Sequence, residues 1–367
     1  MSKSVTKICG ILTSGGDAPG LNAAIRGVCR TAIDVYGMKI IGFENGYKGL
    51  IENRCRELKA SELSGILTLG GTLLGTSREK PFKDKNWCSD SHSSNSSSPC
   101  AVELIIDNYK KNKLDCLVTL GGNGTNTTAA LLAKEGLNVI GLPKTIDNDV
   151  VETDITIGFH TALTVATDAI DRLHSTASSH NRVMVIEVMG HKAGWLGLYS
   201  GVAGGGDVVL LPEIPYSIEK IAAHLENRAQ NGKSFSIVVV AEGALSIEES
   251  LLERKVFKKS RELMVGSIGY RVAKEIEAMT NFDSRVTVLG HLQRGGTPVS
   301  FDRVLASQFG TAVANMLAVG DYGKMISMQN NTLVGVSLEL VARRIKTVPT
   351  NHIMLETARD LGMNLGE

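Results

Sequence analysis

Short apolar runs rich in Val and Ile recur along the chain, and many of them close on glycine or a polar residue. Seven such runs, at residues 8–13, 39–43, 115–120, 138–142, 183–189, 235–241 and 285–289, predict strands. Their near-continuous hydrophobicity is that of strands covered on both faces. Between them the spacing becomes helical: within 161–175, Leu163, Ala166, Ile170 and Leu173 recur at offsets of 3, 7 and 10 and form a stripe for a core. This alternation predicts βαβ units and a mainly parallel sheet, an α/β fold. One stretch breaks the rhythm. Residues 83–100 hold seven serines between 89 and 98, bury little apolar surface and read as a surface insertion.

Composition narrows the class. A chain of 367 residues is long enough for two domains or one large α/β unit. With 39 Lys+Arg against 38 Asp+Glu the net charge is +1, so no global field recruits nucleic acid or an acidic membrane, and an anionic ligand must be held by local clusters. The N-terminal MSKSVTKICGIL has only a short apolar run, and no stretch of about 18 apolar residues occurs, which speaks against a signal peptide or a membrane span. The six cysteines, at 9, 29, 55, 88, 100 and 116, show no CxxC or metal-knuckle spacing and predict reduced thiols in a cytoplasmic protein.

Candidate chemistry lies after the strands. Three glycine-rich turns, TSGGDAPG from Thr13, GGTLLGT from Gly70 and GGNGTNTT from Gly121, follow apolar runs, where backbone N–H groups can approach phosphate oxygens at a helix start. The common nucleotide signatures are absent. Asn231-Gly232-Lys233-Ser234 imitates the end of a Walker loop, but position 227 is Asn where that loop needs glycine, and Gly15-Gly16 with Gly20 does not make G-x-G-x-x-G. The sharpest segment is Pro143-Lys144-Thr145-Ile146-Asp147-Asn148-Asp149. Two carboxylates two residues apart in an extended segment project to one side, one able to accept a proton and one to orient a hydrated cation. Aspartates in an ordinary surface turn remain the plain alternative. Arg182, Arg285 and Arg294 offer planar donors for phosphoryl oxygens or take part in surface ion pairs, and Glu242, closing a strand, can accept a sugar hydroxyl.

These motifs together resemble the 6-phosphofructokinase family. TSGGDAPGLNAAIRG, GGTLLGTSR, LGGNGT, PKTIDNDV, EVMG, AEG and LGHLQRGGTPVSFDR are similar to family segments and occur in the family's order, from about Thr6 to Gly310. The resemblance implies two Rossmann-like, three-layer α/β/α domains with a mainly parallel sheet and the active site in the cleft between them. A larger ATP-binding domain would comprise 1–158 and 293–343, and a smaller fructose-6-phosphate-binding domain 159–292 and 344–367.

It further implies phosphorylation of fructose 6-phosphate to fructose 1,6-bisphosphate by ATP and Mg²⁺, the committed step of glycolysis. Asp147 would remove the proton of the sugar's 1-hydroxyl. Thr145 would bind sugar phosphate, Asp149 would support the metal or transferred group, and Arg78 would offset charge on the phosphoryl oxygens. Gly16, Arg78, Glu79, Gly121, Gly122, Asn123, Gly124 and Thr125 would hold the nucleotide. Ile146, Arg182, Met189, Gly190, His191, Glu242, Arg285, His291, Leu292, Gln293 and Arg294 would join Thr145 and Asp147 around the sugar phosphate. Arg182 and Arg285 would reach in from a neighbouring subunit, so the active protein would be a homo-oligomer, dimer or tetramer, without nucleic acid or membrane as partner.

Two departures bear on the donor and the metal. ATP-using members usually carry GGDG with PGTIDND and pyrophosphate-using members GGDD with PKTIDND, whereas this chain pairs Gly124 with Lys144. A carboxylate at 124 would crowd and repel the α-phosphate of ATP, so Gly124 favours ATP over pyrophosphate, while Lys144 can attract the negative charge of pyrophosphate without excluding ATP. Asn123 stands where a metal-binding aspartate is usual, and an amide oxygen is a weaker ligand for a hard dication. It is also the one residue that favours a third reading, a non-catalytic sugar-phosphate-binding paralogue. Lipid and NAD kinases share the GGDGT-like turn but lack the other segments.

Overall fold

A computed structural model describes residues 4–82, 100–252 and 266–367. The chain divides into two compact units: 1–145, 150–160 and 294–345 make the first, and 146–149, 161–293 and 346–367 the second.

The first unit is built on a seven-stranded sheet. Its strands are β1 (Ile8–Thr13), β2 (Lys39–Phe43), β3 (Cys55–Glu57), β4 (Cys116–Gly121), β5 (Val139–Pro143), β10 (Lys324–Gln329) and β11 (Thr332–Ser337), in the order β11-β10-β5-β4-β1-β2-β3. The five central strands run parallel, and β3 and β11 are antiparallel edges. Alternate residues serve opposite faces. Cys9, Ile11, Val118 and Leu142 pack with helix α1 (Leu21–Arg30) and helix α10 (Ser300–Val319). Leu12, Leu117, Val139 and Met325 pack on the other face with α2 (Gly46–Ile51), α3 (Ala101–Lys111) and α4 (Asn123–Lys134). Burial on both faces is why these strands read as continuous apolar runs. α1 and α10 touch backbone to backbone: a Cβ on Gly310 would lie 2.6 Å from the Val28 nitrogen.

The second unit carries an all-parallel four-stranded sheet, β6 (Val183–Val188), β7 (Val208–Leu210), β8 (Ser236–Ala241) and β9 (Ser284–Val288), in the order β7-β8-β6-β9. Val185, Leu210, Val238 and Val240 pack against Ile221 and Leu225 of α7 (Ile218–Gln230) and Val272 and Ile276 of α9 (Ile268–Met279). α5 (Phe159–His180) and α6 (Trp195–Ala203) contribute Ile170 and Gly201 to the opposite side, where Gly201 lies against Val209. Three short helices, α8 (Ile247–Ser250), α11 (Leu338–Val341) and α12 (Ile353–Asp360), complete the described α-helices.

All seven expected strands form, displaced by at most a residue or two. The expectation that each is covered on both faces fails for β9, an edge strand with Arg285 and Val288 exposed and Val286 and Thr287 half-exposed. Four strands gave no usable apolar run: β3 and β7 are three residues long, and β10 and β11 mix in Lys, Ser, Gln and Thr. The helix expected within 161–175 extends to both sides. Asn231 closes α7 and Gly232 forms the turn before β8, so the Walker-like tetrapeptide is a helix stop. The serine-rich stretch lies outside the described residues except for Cys100, whose thiol caps α3. The five described cysteines are free thiols; burial raises those of Cys9, Cys29 and Cys116 well above the ordinary range. No described helix is long and apolar enough to cross a membrane.

Candidate functional site

Parallel register brings the carboxyl ends of β5, β4 and β1 side by side, with Thr13 opposite Leu120 and Gly121 opposite Pro143. The first and third glycine turns therefore share one sheet edge. Ser14 N–H donates to the Leu120 carbonyl at 2.9 Å, Lys144 N–H to that of Gly121 at 3.0 Å, and the Thr125 hydroxyl to that of Ser14 at 3.2 Å. The second turn joins them from a loop. Gly15 N–H donates to Ser77, the Thr76 hydroxyl to the Gly15 carbonyl at 2.7 Å, and Asn22 of α1 bonds Leu69, Gly70 and Leu73. Gly20 starts α1 at φ 101°, and a Cβ there would meet Ile157, so this position requires glycine.

Two cations meet this cluster. The buried Lys144 ammonium donates to the Gly16 carbonyl, and the Arg294 guanidinium lies over Gly16 and donates to Asp17 at 3.1 Å. Gly122 caps α4, so Asn123, Gly124 and Thr125 form its first turn, with N–H groups and the positive helix end available to an anion. A side chain on Gly124 would enter open space. Arg78 is exposed and Glu79 half-buried just beyond Ser77.

The segment expected to carry the chemistry is not a surface turn. Lys144 and Thr145 close its first-unit part, and Ile146, Asp147, Asn148 and Asp149 belong to the second unit. All are buried, Asp147 at 8 % and Asp149 at 6 % exposure, which sets aside the plain reading of solvated turn aspartates. Between the carboxylates Asn148 takes φ 50°, a left-handed conformation that Asn tolerates better than most residues. The Thr156 hydroxyl donates to the Thr145 carbonyl at 2.7 Å.

The second unit sorts its expected residues into two places. At the carboxyl ends of β8, β6 and β9, Glu242 accepts from His191 N–H at 2.8 Å, and buried Gln293 accepts from Met189 N–H at 2.8 Å. Gly190 lies between them, and His291 and Leu292 are exposed in the turn Gly290–Arg294. Arg182 and Arg285 lie at the amino ends of β6 and β9, a strand length of about 17 Å away. Both bind Asp283: Arg182 Nε at 2.6 Å, Arg285 through Nη1. Desolvation would raise the Asp283 carboxyl, but the Arg285 hydrogen bond and the charges of Arg182 and Arg285 outweigh it and hold the carboxyl below the usual range. Asp283 was not among the expected residues; its place two before Arg285 in an extended run was the available signal.

Glycine turns at one sheet edge with two cations set against them and, in the second unit, two buried carboxylates are groups suited to phosphorylated small molecules, on an α/β fold. Comparison with known proteins gives the family. Residues 8–317 match the family model described as Phosphofructokinase. The chain is 58% identical, over all of both chains, to the Spirochaeta thermophila protein named ATP-dependent 6-phosphofructokinase. It is 49% identical to the Bacteroides thetaiotaomicron protein named ATP-dependent 6-phosphofructokinase 3, over 97% of this chain and 99% of the other. Among solved structures it resembles Pichia pastoris phosphofructokinase in the T-state, with TM-score 0.79 and 32% identity, over 93% of this chain and 36% of that one. The chain belongs to the phosphofructokinase family.

Proposed function

We propose that this protein transfers the γ-phosphoryl group of ATP to the 1-hydroxyl of fructose 6-phosphate, giving fructose 1,6-bisphosphate and ADP. The observation that carries this reading is the burial of residues 143–149, with Lys144 reaching the Gly16 turn and two carboxylates following it. Asp147 takes the proton of the 1-hydroxyl as that oxygen bonds to the γ-phosphorus and the bond to the bridging oxygen of ADP breaks. The first turn of α4, Gly16 and Arg78 hold the donor phosphates, Arg78 offsetting charge as the phosphoryl group passes. Thr145, Met189, Gly190, His191, Glu242, His291 and Arg294 hold the sugar phosphate.

Relatives named as ATP-dependent and the open space at Gly124 both support ATP as the donor. No group of three or more His, Cys, Asp or Glu fit to hold a metal occurs among the described residues. The two buried carboxylates of the second unit fit Mg²⁺, which takes one or two protein oxygens and fills its shell with phosphates and water. That ion would neutralise charge on the donor phosphates; Asp149 would orient it, and the Asn123 amide would serve the donor phosphates at the first turn of α4. Arg182 and Arg285, at the far end of β6 and β9 from His191 and Glu242, are assigned to the sugar-phosphate site of a second copy, which makes the active form a homo-oligomer.

The test is a steady-state assay of fructose 1,6-bisphosphate formation with Mg²⁺, comparing ATP with pyrophosphate and wild type with Asp147→Ala. Turnover with ATP that is lost in Asp147→Ala supports the proposal. Turnover with pyrophosphate alone assigns the donor choice to Lys144, and no turnover with either in a protein that binds fructose 6-phosphate leaves the binding paralogue.

A further inference from the structure

The carboxylate segment 146–149 is tied down by a part of the chain nearly 200 residues away in sequence. Lys346 N–H donates to the Asp149 carbonyl at 2.7 Å. The Lys346 carbonyl accepts from the indole N–H of Trp195 at 2.9 Å, and the Lys346 ammonium lies 5.4 Å from the centre of that ring. Two residues on, Val348 N–H donates to Glu213 Oε1 at 2.9 Å, and the same oxygen accepts from Gly194 N–H at 2.9 Å. Trp195 and Val348 are buried, and His352, which caps α12, packs its ring edge-to-face on Trp195 with centroids 5.0 Å apart. All of these groups lie within the second unit.

We propose that Trp195 and Glu213 are positioning residues that, through the strap 346–348, fix the Asp147–Asp149 segment for proton abstraction. The proposal rests on the function given above. Its physical basis is the conformation of that segment: Asn148 at φ 50° takes a left-handed state that Asn visits as a minority conformer, and constraints from neighbours keep it there. A backbone hydrogen bond to the next carbonyl is such a constraint, and it is worth only as much as the strap is fixed. Trp195 fixes the Lys346 peptide and Glu213 the Val348 peptide. A carboxylate that accepts two backbone N–H groups at one oxygen ties the strap to the first turn of α6, a rigid element. General-base catalysis is sensitive to displacements of about 1 Å, whereas substrate affinity, spread over many contacts, is not.

The experiment uses the full chain. Trp195→Phe keeps an aromatic ring, smaller than the indole, and removes its N–H; Glu213→Ala removes the shared acceptor, and Glu213→Gln restores one acceptor oxygen. The expected result is a fall of about tenfold in kcat for Trp195→Phe and Glu213→Ala, with KM for fructose 6-phosphate and ATP within about twofold of wild type, and recovery of at least about half of kcat in Glu213→Gln. Hydrogen–deuterium exchange of the peptide spanning 144–152 is expected to quicken by about tenfold in the first two variants and to return in the third. Unchanged kcat in an active wild-type background, equal shifts of kcat and KM, or a Glu213→Gln protein that behaves like Glu213→Ala overturns the positioning role. A wild type that does not turn over sinks the assigned function instead; exchange then decides the strap alone, and unchanged exchange at 144–152 overturns it.

Discussion

The two units build their binding groups in different ways. In the first, the groups offered to phosphate are mainly backbone: N–H groups of turns held at the ends of β1 and β4, interlocked by the Ser14, Gly15 and Thr125 hydrogen bonds. In the second, side chains take the larger part: Glu242 and Gln293 accept from the backbone N–H groups of His191 and Met189, and Arg182 and Arg285 both bind Asp283. A backbone site is as fixed as the sheet edge that carries it and fails when the edge is disturbed. A side-chain site yields piecewise and is open to sharing between copies.

The largest effect is expected at the segment that bears the base. Asp147→Asn should lower kcat by about 10²- to 10⁴-fold while fructose 6-phosphate still binds, as isothermal titration would register. Sharing between copies predicts the next. Arg285→Ala alone should be nearly inactive at ordinary fructose 6-phosphate concentration. Mixing it with Asp147→Asn subunits under exchange should restore up to about a quarter of wild-type activity in a dimer, because one site then has both groups intact. No recovery in demonstrably mixed oligomers would place Arg285 in its own subunit's chemistry or outside it.

A third prediction separates structure from site in the first unit. Gly310→Ala, which forces a Cβ onto the Val28 backbone where α1 and α10 meet, should cost about 1–3 kcal/mol in stability by thermal or urea unfolding. Its KM for ATP should rise only if α1, which Gly20 caps, transmits the shift to the Gly16 turn.

The smallest effect is expected at Asp283. The ion pairs it makes are exposed, so Asp283→Asn should change KM for fructose 6-phosphate by less than about fivefold. Its folded carboxyl titrates below the unfolded value, so its contribution to stability is present above the ordinary carboxylate range and is lost as pH falls through the depressed value. A carbon-13 titration of that carboxyl that ran at or above the ordinary value would contradict the arrangement.

The sequence by itself determined the class and most of the parts. Apolar runs covered on both faces announce central parallel strands, because burial on both sides leaves no room for alternation; β1 and β2 fall on their expected residues. The edge strands β3 and β11 and the partly exposed β10 beside β11 were illegible for the same reason, since a strand with residues open to solvent need not be apolar throughout. The glycine turns and the 143–149 motif were legible because phosphate and proton chemistry restrict residue choice locally. What only the tertiary structure decided is which of these parts meet. Strand register sets the Gly16, Gly121 and Lys144 turns on one edge, and it separates Arg182 and Arg285 from His191 and Glu242 by the length of a strand. The strap from Lys346 to Asp149, and the roles of Trp195 and Glu213 beneath it, depend on backbone hydrogen bonds between distant residues, and a backbone N–H leaves no mark on the identity of the residue that carries it.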